Sequence, residues 1–139
     1  MAANQNPIFT RVGDIQWSTT PILAANTTTD LTTGTTYLIF TADATNGGYV
    51  QKLRFRPLGT NVATVARVWI NNGSTVATAA NNILFDEISL AISTVSQTSA
   101  TPIYELPINT AIPPGYKIYV TLGTVVAAGY TCTAIAGKY

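Results

Sequence analysis

Apolar and polar positions alternate along much of the chain. In residues 116–122, Tyr116, Ile118, Val120 and Leu122 fall on one side and Lys117, Tyr119 and Thr121 on the other. A period of two describes a strand with one buried and one wetter face. Residues 49–56 repeat the pattern, with Tyr49, Gln51, Leu53 and Phe55 against Val50, Lys52, Arg54 and Arg56. In residues 103–108, Tyr104, Leu106 and Ile108 alternate with Ile103, Glu105 and Pro107. Pro107 has no N–H for a ladder, which predicts an edge strand or a bulge. Residues 62–70, 83–92 and 130–135 predict further strands, and 14–17 a weak one. The apolar run YLIF within 35–42 predicts a buried central strand.

Turn signals separate these runs. Asn46-Gly47-Gly48, Asn71-Asn72-Gly73-Ser74 and Pro113-Pro114-Gly115 each interrupt the pattern. Leu58-Gly59-Thr60-Asn61 has the length of a hairpin loop. Residues 21–36 are Thr-rich and predict extended chain and loop, because threonine disfavours helix interiors. Residues 83–92 also place Leu84, Ile88 and Ile92 at helical spacing, but their β-branched content and missing cap favour a strand. The fold class that follows is all-β: a single-domain antiparallel β-sandwich, jelly-roll-like, of about eight strands. Residues 1–9 are expected to form an N-terminal arm carrying an apolar tag, Ile8 and Phe9, and residues 10–139 the sandwich.

With 139 residues, the chain buries enough surface to fold as one domain without disulfides or metals. Charged residues are only 9% of the chain, against about 25% in ordinary domains. The polar surface is therefore made of hydroxyls and amides, which cost less to desolvate than charges. The net charge of +1 gives copies little mutual repulsion and does not suggest a nucleic-acid binder. Together these features predict a protein that packs against others. No run is long and apolar enough to span a membrane, and the start MAANQNPIF lacks a signal-peptide pattern. Synthesis in the cytoplasm is the expectation.

The chemistry points away from catalysis. With no histidine, imidazole triads, imidazole metal sites and the usual general base near neutral pH are all excluded. Cys132, the single cysteine, reads as a small packed thiol. Asp86 and Glu87 are adjacent and would point to opposite faces of a strand. A glycosidase pair would have to come from distant strands. Asp43 before Asn46 reads as a turn carboxylate. No cofactor or metal is expected.

The runs TNVATVARVWINNGS (60–74), NNILFDEISL (81–90) and LPINTAIPPGYKIYVTLGTVVAAGY (106–130), with the Gly137–Tyr139 end, resemble small structural proteins of tailed-bacteriophage virions. These are the proteins that decorate or cement the head. The resemblance implies a β-rich, non-enzymatic protein on the capsid surface, often trimeric, with the major capsid protein as partner and neither nucleic acid nor membrane as ligand.

Candidate interface residues follow. Ile8 and Phe9 of the arm are expected to contact a neighbouring chain. A hairpin of residues 49–57 and 62–70 would set Lys52 opposite Arg67. It would gather Lys52, Arg54, Arg56 and Arg67 on one outer face beside Trp69. Like charges directly opposite destabilise a sheet, which calls for compensation: either solvation, with Trp69 covering one guanidinium, or an acidic partner, Glu87 or Glu105 of a neighbouring strand or subunit or a carboxylate patch on a shell protein. The alternative function is a carbohydrate- or receptor-binding module of a phage tail or fibre, with Trp17, Trp69 and exposed tyrosines stacking on sugars. An enzyme using only carboxylates is the third possibility.

Overall fold

The computed structural model describes residues 10–139. Ile8 and Phe9, and with them the predicted arm, lie outside the described residues. The strands are β1 (Val12–Gly13), β2 (Gln16–Trp17), β3 (Tyr37–Thr41), β4 (Gly48–Pro57), β5 (Thr64–Asn71), β6 (Asn82–Leu90), β7 (Tyr104–Ile112), β8 (Lys117–Leu122) and β9 (Tyr130–Lys138), with one 3₁₀ turn at Ala79–Asn81. They form two antiparallel sheets packed as a β-sandwich. In the first sheet, β1 and β2 both pair with β9, followed by β4 and β7; the second runs β3-β8-β5-β6.

The pairings are nested: β2 with β9, β3 with β8, β4 with β7 and β5 with β6. A long double-stranded ribbon has rolled up, bringing β4 beside β9 and β5 beside β8. This is jelly-roll order, and it closes two four-position sheets over one core. Among the described residues, only β5 and β6 are joined as a true hairpin. At its tip Gly73 has φ +90, and a Cβ there would sit 2.8 Å from the Gly115 carbonyl oxygen. That position therefore takes glycine.

The core lies between the sheets. It is built from Val50, Leu53 and Phe55 of β4, Ala66 and Val68 of β5, Ile118, Val120 and Leu122 of β8, and Tyr130, Cys132 and Ala134 of β9. Each fully buried Val, Leu, Ile or Phe contributes about 1.5–3 kcal/mol, so this layer dominates stability. One correction concerns β4. The face predicted as Tyr49, Gln51, Leu53 and Phe55 changes sides within the strand. The register with β9 shifts between Val50 and Lys52, and the extra residue, Gln51, is exposed. That bulge puts Val50 inward with Leu53 and Phe55, because one inserted residue inverts a period of two.

A second correction concerns β3. It is an edge strand of its sheet, not a central one. Its run is nonetheless apolar, because the register shift between Leu38 and Phe40 lets Ile39 and Phe40 both be buried. The edge is closed off by Gln16 of β2. Its Nε2 donates to the Thr41 carbonyl oxygen (2.9 Å) and its Oε1 accepts from the Thr41 N–H (2.9 Å). One side-chain amide thus copies a backbone pairing and ties the two sheets together on this flank. Pro107 stands as predicted, in an edge strand with a shifted register.

Candidate assembly surface

The predicted hairpin of β4 and β5 does not exist, and the cationic cluster falls with it. β4 belongs to one sheet and β5 to the other, so residues 58–63 cross the sandwich. Asn61 pins the crossing. It is buried, its Oδ1 accepts from the N–H groups of Ala128 (2.9 Å) and Gly129 (2.8 Å), and its Nδ2 donates to the Gly129 carbonyl (3.0 Å). Asn61 and Ser93 also exchange backbone hydrogen bonds. A short loop carrying a buried amide reads as a hairpin turn in sequence, since nothing local reveals what the amide will bond.

Lys52, Arg54 and Arg56 therefore lie on the outer face of the first sheet, and Arg67 on the outer face of the second. Each group has its own partner. Glu105 of β7 receives Lys52 Nζ (2.9 Å) and both Nε (2.9 Å) and a terminal nitrogen (2.8 Å) of Arg54. Arg56 donates to the Thr101 hydroxyl (3.1 Å). Arg67 Nε donates to Glu87 of β6 (2.8 Å). Glu105 sits directly opposite Arg54 in the ladder, and Glu87 directly opposite Arg67. Hydrogen bonding from Lys52 and then Arg54 holds the Glu105 carboxyl below its ordinary pKa. The two carboxylates expected as acidic partners thus meet these cations within the chain, across neighbouring strands.

Trp69 also leaves the candidate interface. It is on the outer face of the second sheet yet only 1% exposed. Residues 23–35 run across this face: Asn26 N–H donates to the Leu122 carbonyl (2.7 Å), and Asn82 Nδ2 to the Asp30 carbonyl (3.0 Å). Beneath them the Trp69 indole N–H donates to Thr121 Oγ1 (3.0 Å). Trp69 and Leu31 are buried but stand outside the principal core, forming a smaller apolar layer on the far side of the sheet. The Thr-rich segment is thus a cover, which composition could not reveal.

What sequence reasoning missed is β6. Strand pairing was visible in it, but its exposure was not. Of its nine residues only Leu90 is buried; Ile83 is 63%, Leu84 42% and Phe85 39% exposed. Asp86 lies opposite Val68, whose side chain is fully buried, so it points to the inner side and is nonetheless exposed. The first sheet does not reach over β6. Ile92, Val95 and Ile103, in the segment joining β6 to β7, add exposed apolar side chains. Phe85 is the extra residue where the register shifts between Val68 and Trp69. A bulge and an inward-pointing carboxylate are devices that stop an edge from pairing indiscriminately. The N-terminal half of β6 therefore offers side chains, rather than a clean ladder, to a partner.

The remaining carboxylates have structural duties. Asp43 Oδ1 accepts from the N–H groups of Thr45 (3.0 Å) and Asn46 (2.8 Å), which lowers its pKa. Asp30 is lowered in the same way by the hydroxyl and N–H of Thr32. Burial raises the Cys132 thiol well above its usual range, making it a poor nucleophile. Among the described residues, no cluster of three or more Cys, Asp or Glu side chains suits a metal ion, and no helix is long and apolar enough to cross a membrane. Comparisons with known protein families, curated proteins and solved structures give no significant match.

Proposed function

We propose that this is a non-enzymatic structural protein of a virion, a decoration or cement protein that binds the major capsid protein and stabilises the head from its outer surface. The exposed apolar edge at Ile83, Leu84 and Phe85 carries the reading. Monomeric soluble proteins place isolated apolar side chains on their surfaces. Here three successive ones stand exposed on one outermost strand, Ile83 on its inner side and Leu84 on its outer side, with Phe85 at the bulge between the two registers. The low charge of the chain supports it, since a neutral hydroxyl-rich surface is inexpensive to desolvate. The turn and strand pattern from about Thr60 to the C-terminus, read as resembling head-decorating phage proteins, is in keeping with it. Jelly rolls are used by viral capsid proteins and by lectins alike, so the architecture alone decides nothing. In this reading copies sit in groups on the capsid surface, with trimers favoured, after synthesis in the host cytoplasm.

The test is reconstitution. Purified protein is mixed with shells assembled from the major capsid protein alone, and the mixture is imaged by cryo-electron microscopy. Copies at regular positions on capsomers, lost in an Ile83→Asp/Phe85→Asp variant that still folds, are the expected result. Bare shells at saturating protein would refute the assignment.

A further inference from the structure

The two ends of the sandwich are built differently. At one end the connections 42–47, 72–81 and 113–116 meet. The Gly115 N–H donates to the Asp43 carbonyl (3.3 Å), and Gly73 lies against the Gly115 carbonyl. At the other end the connections 58–63, 91–103 and 123–129 meet. Thirteen large apolar side chains are exposed among the described residues. None of them is on the first set of connections. Six are on the second: Leu58, Val62, Ile92, Val95, Ile103 and Val125.

Hydrogen bonds tie the second set into one surface. Asn61 and Ser93 exchange backbone hydrogen bonds, and the Ser93 hydroxyl donates to the Gly59 carbonyl (3.2 Å). The Leu58 N–H donates to the Gly129 carbonyl (2.9 Å). The Thr124 N–H donates to Thr64 Oγ1 (3.1 Å), and Thr124 Oγ1 to the Ala63 carbonyl (3.2 Å). The register between β5 and β6 carries on past the strands, since Thr64 pairs with Leu90 and Asn61 with Ser93. Val62 and Ile92 therefore stand opposite each other, 54% and 71% exposed. Val125, next to Thr124, is 65% exposed on the neighbouring connection. A surface held this way gives up little conformational freedom when it docks.

Charge identifies the occupant. The three connections hold 26 residues and not one charged side chain. Arg56, bonded to Thr101, stands at their margin. Charge is depleted at the centre of protein interfaces and kept at the rim, and one side of a standard interface has about 20–30 residues. An ordinary protein surface, with about 25% charged residues, would bring charges that this end cannot pair, and burying an unpaired charge is costly. The same end of another copy brings none. We propose that the chain self-associates through this end, which packs on the same end of another copy. Its serine and threonine hydroxyls both donate and accept, so like pairs with like across the contact. The contact leaves Ile83, Leu84 and Phe85 outside and needs no shell, so it stands or falls apart from the capsid reading.

The experiment is sedimentation velocity on the full chain over a concentration series, with no other protein present. Association that grows with concentration is expected. Val62→Asp with Ile92→Asp should weaken it at least about tenfold, since buried apolar side chains are replaced by like charges. In dilute solution this variant should melt with the parent, because both positions are exposed. Val125→Asp, on a separate connection, should also weaken association, and it carries the test should the double variant not fold. Ile83→Ser with Phe85→Ser should associate as the parent does. Mixing the double aspartate variant with Val62→Lys/Ile92→Lys should restore association, as a contact between like ends requires. A mixture that stays dissociated overturns the proposal, as does a parent that is monomeric throughout. Association that survives Val62→Asp with Ile92→Asp, or that is lost instead in Ile83→Ser with Phe85→Ser, also overturns it. A monomeric parent whose attachment to shells is lost in the Val62→Asp/Ile92→Asp variant does the same, and gives this end to a foreign partner.

Discussion

Strands β6 and β7 invite comparison. Both have nine residues, both are outermost in their sheets, and both lie on the same flank of the sandwich. β7 behaves as an edge facing water. Leu106, Ile108 and Ile112 turn inward and are buried. Pro107 withholds an N–H, Asn109 takes a left-handed conformation at φ +46, and Glu105 is engaged by Lys52 and Arg54. Each of these discourages another chain from adding to the sheet. β6 has a bulge, Asp86 and the Glu87 ion pair to Arg67 in its defence, but leaves Ile83, Leu84 and Phe85 uncovered. The same alternating pattern therefore has two meanings. In β7 the apolar positions stabilise the fold, whereas in the N-terminal half of β6 they add little to it and remain available to a partner; only toward its end do Ile88 and Leu90 join the core.

The largest effect that would break this contrast is in the fold itself. Leu106→Ala on β7 should cost about 2–5 kcal/mol in denaturant unfolding, as buried leucine truncations do. Ile83→Ala on β6 should stay within about 0.5 kcal/mol of the parent, as exposed substitutions do. Equal losses at both positions would mean that β6 belongs to the core after all.

For binding the order should reverse. Ile83→Ser with Phe85→Ser is expected to weaken attachment to capsid shells at least about tenfold, since two apolar side chains lose their burial against the partner. The matching exposed pair on β7, Glu105→Gln with Asn109→Gly, should leave attachment unchanged. Co-sedimentation with shells measures both.

A smaller effect concerns the cations. Arg54→Glu with Arg56→Glu removes one ion pair and one hydrogen bond on the outer face of the first sheet and sets a carboxylate beside Glu105. A modest lowering of the unfolding midpoint is expected, shrinking as salt is added, because exposed charges are screened within about 10 Å at 0.1 M. Shell attachment should change less than in the β6 double variant. The opposite ranking would move the docking surface to the face of β4 and β7.

The smallest effect is in acid. Asp30, Asp43 and Glu105 all have folded-state pKa values below their ordinary ones. Their contribution is complete above the unfolded carboxylate range, near pH 4, and is lost as pH falls through the lowered values. Thermal melts should therefore hold steady from neutral pH to about pH 5 and decline below pH 4. Glu105→Gln should flatten part of that decline.

How much of this was legible in the sequence can be judged strand by strand. The alternation at residues 116–122, the proline in residues 103–108 and the Asn-Gly turn at residues 71–74 each led to an all-β sandwich, because strand period and turn stereochemistry are local properties of the chain. Asp43 as a turn carboxylate and Cys132 as a packed thiol were legible for the same reason. The sheet to which each strand belongs was decided only by tertiary structure. Residues 58–61 look like a hairpin loop until Asn61 is seen bonded to Gly129, a partner far along the chain, and the cationic face inferred from that hairpin dissolves with it. The bulge at Gln51 is equally silent, since a single inserted residue depends on the register of the neighbouring strand. Exposure was the last thing to emerge. Ile83 and Val68 are similar residues in paired strands, and what separates them is whether the opposite sheet reaches over them. That depends on how two whole sheets are offset, which the order of residues within one strand does not encode.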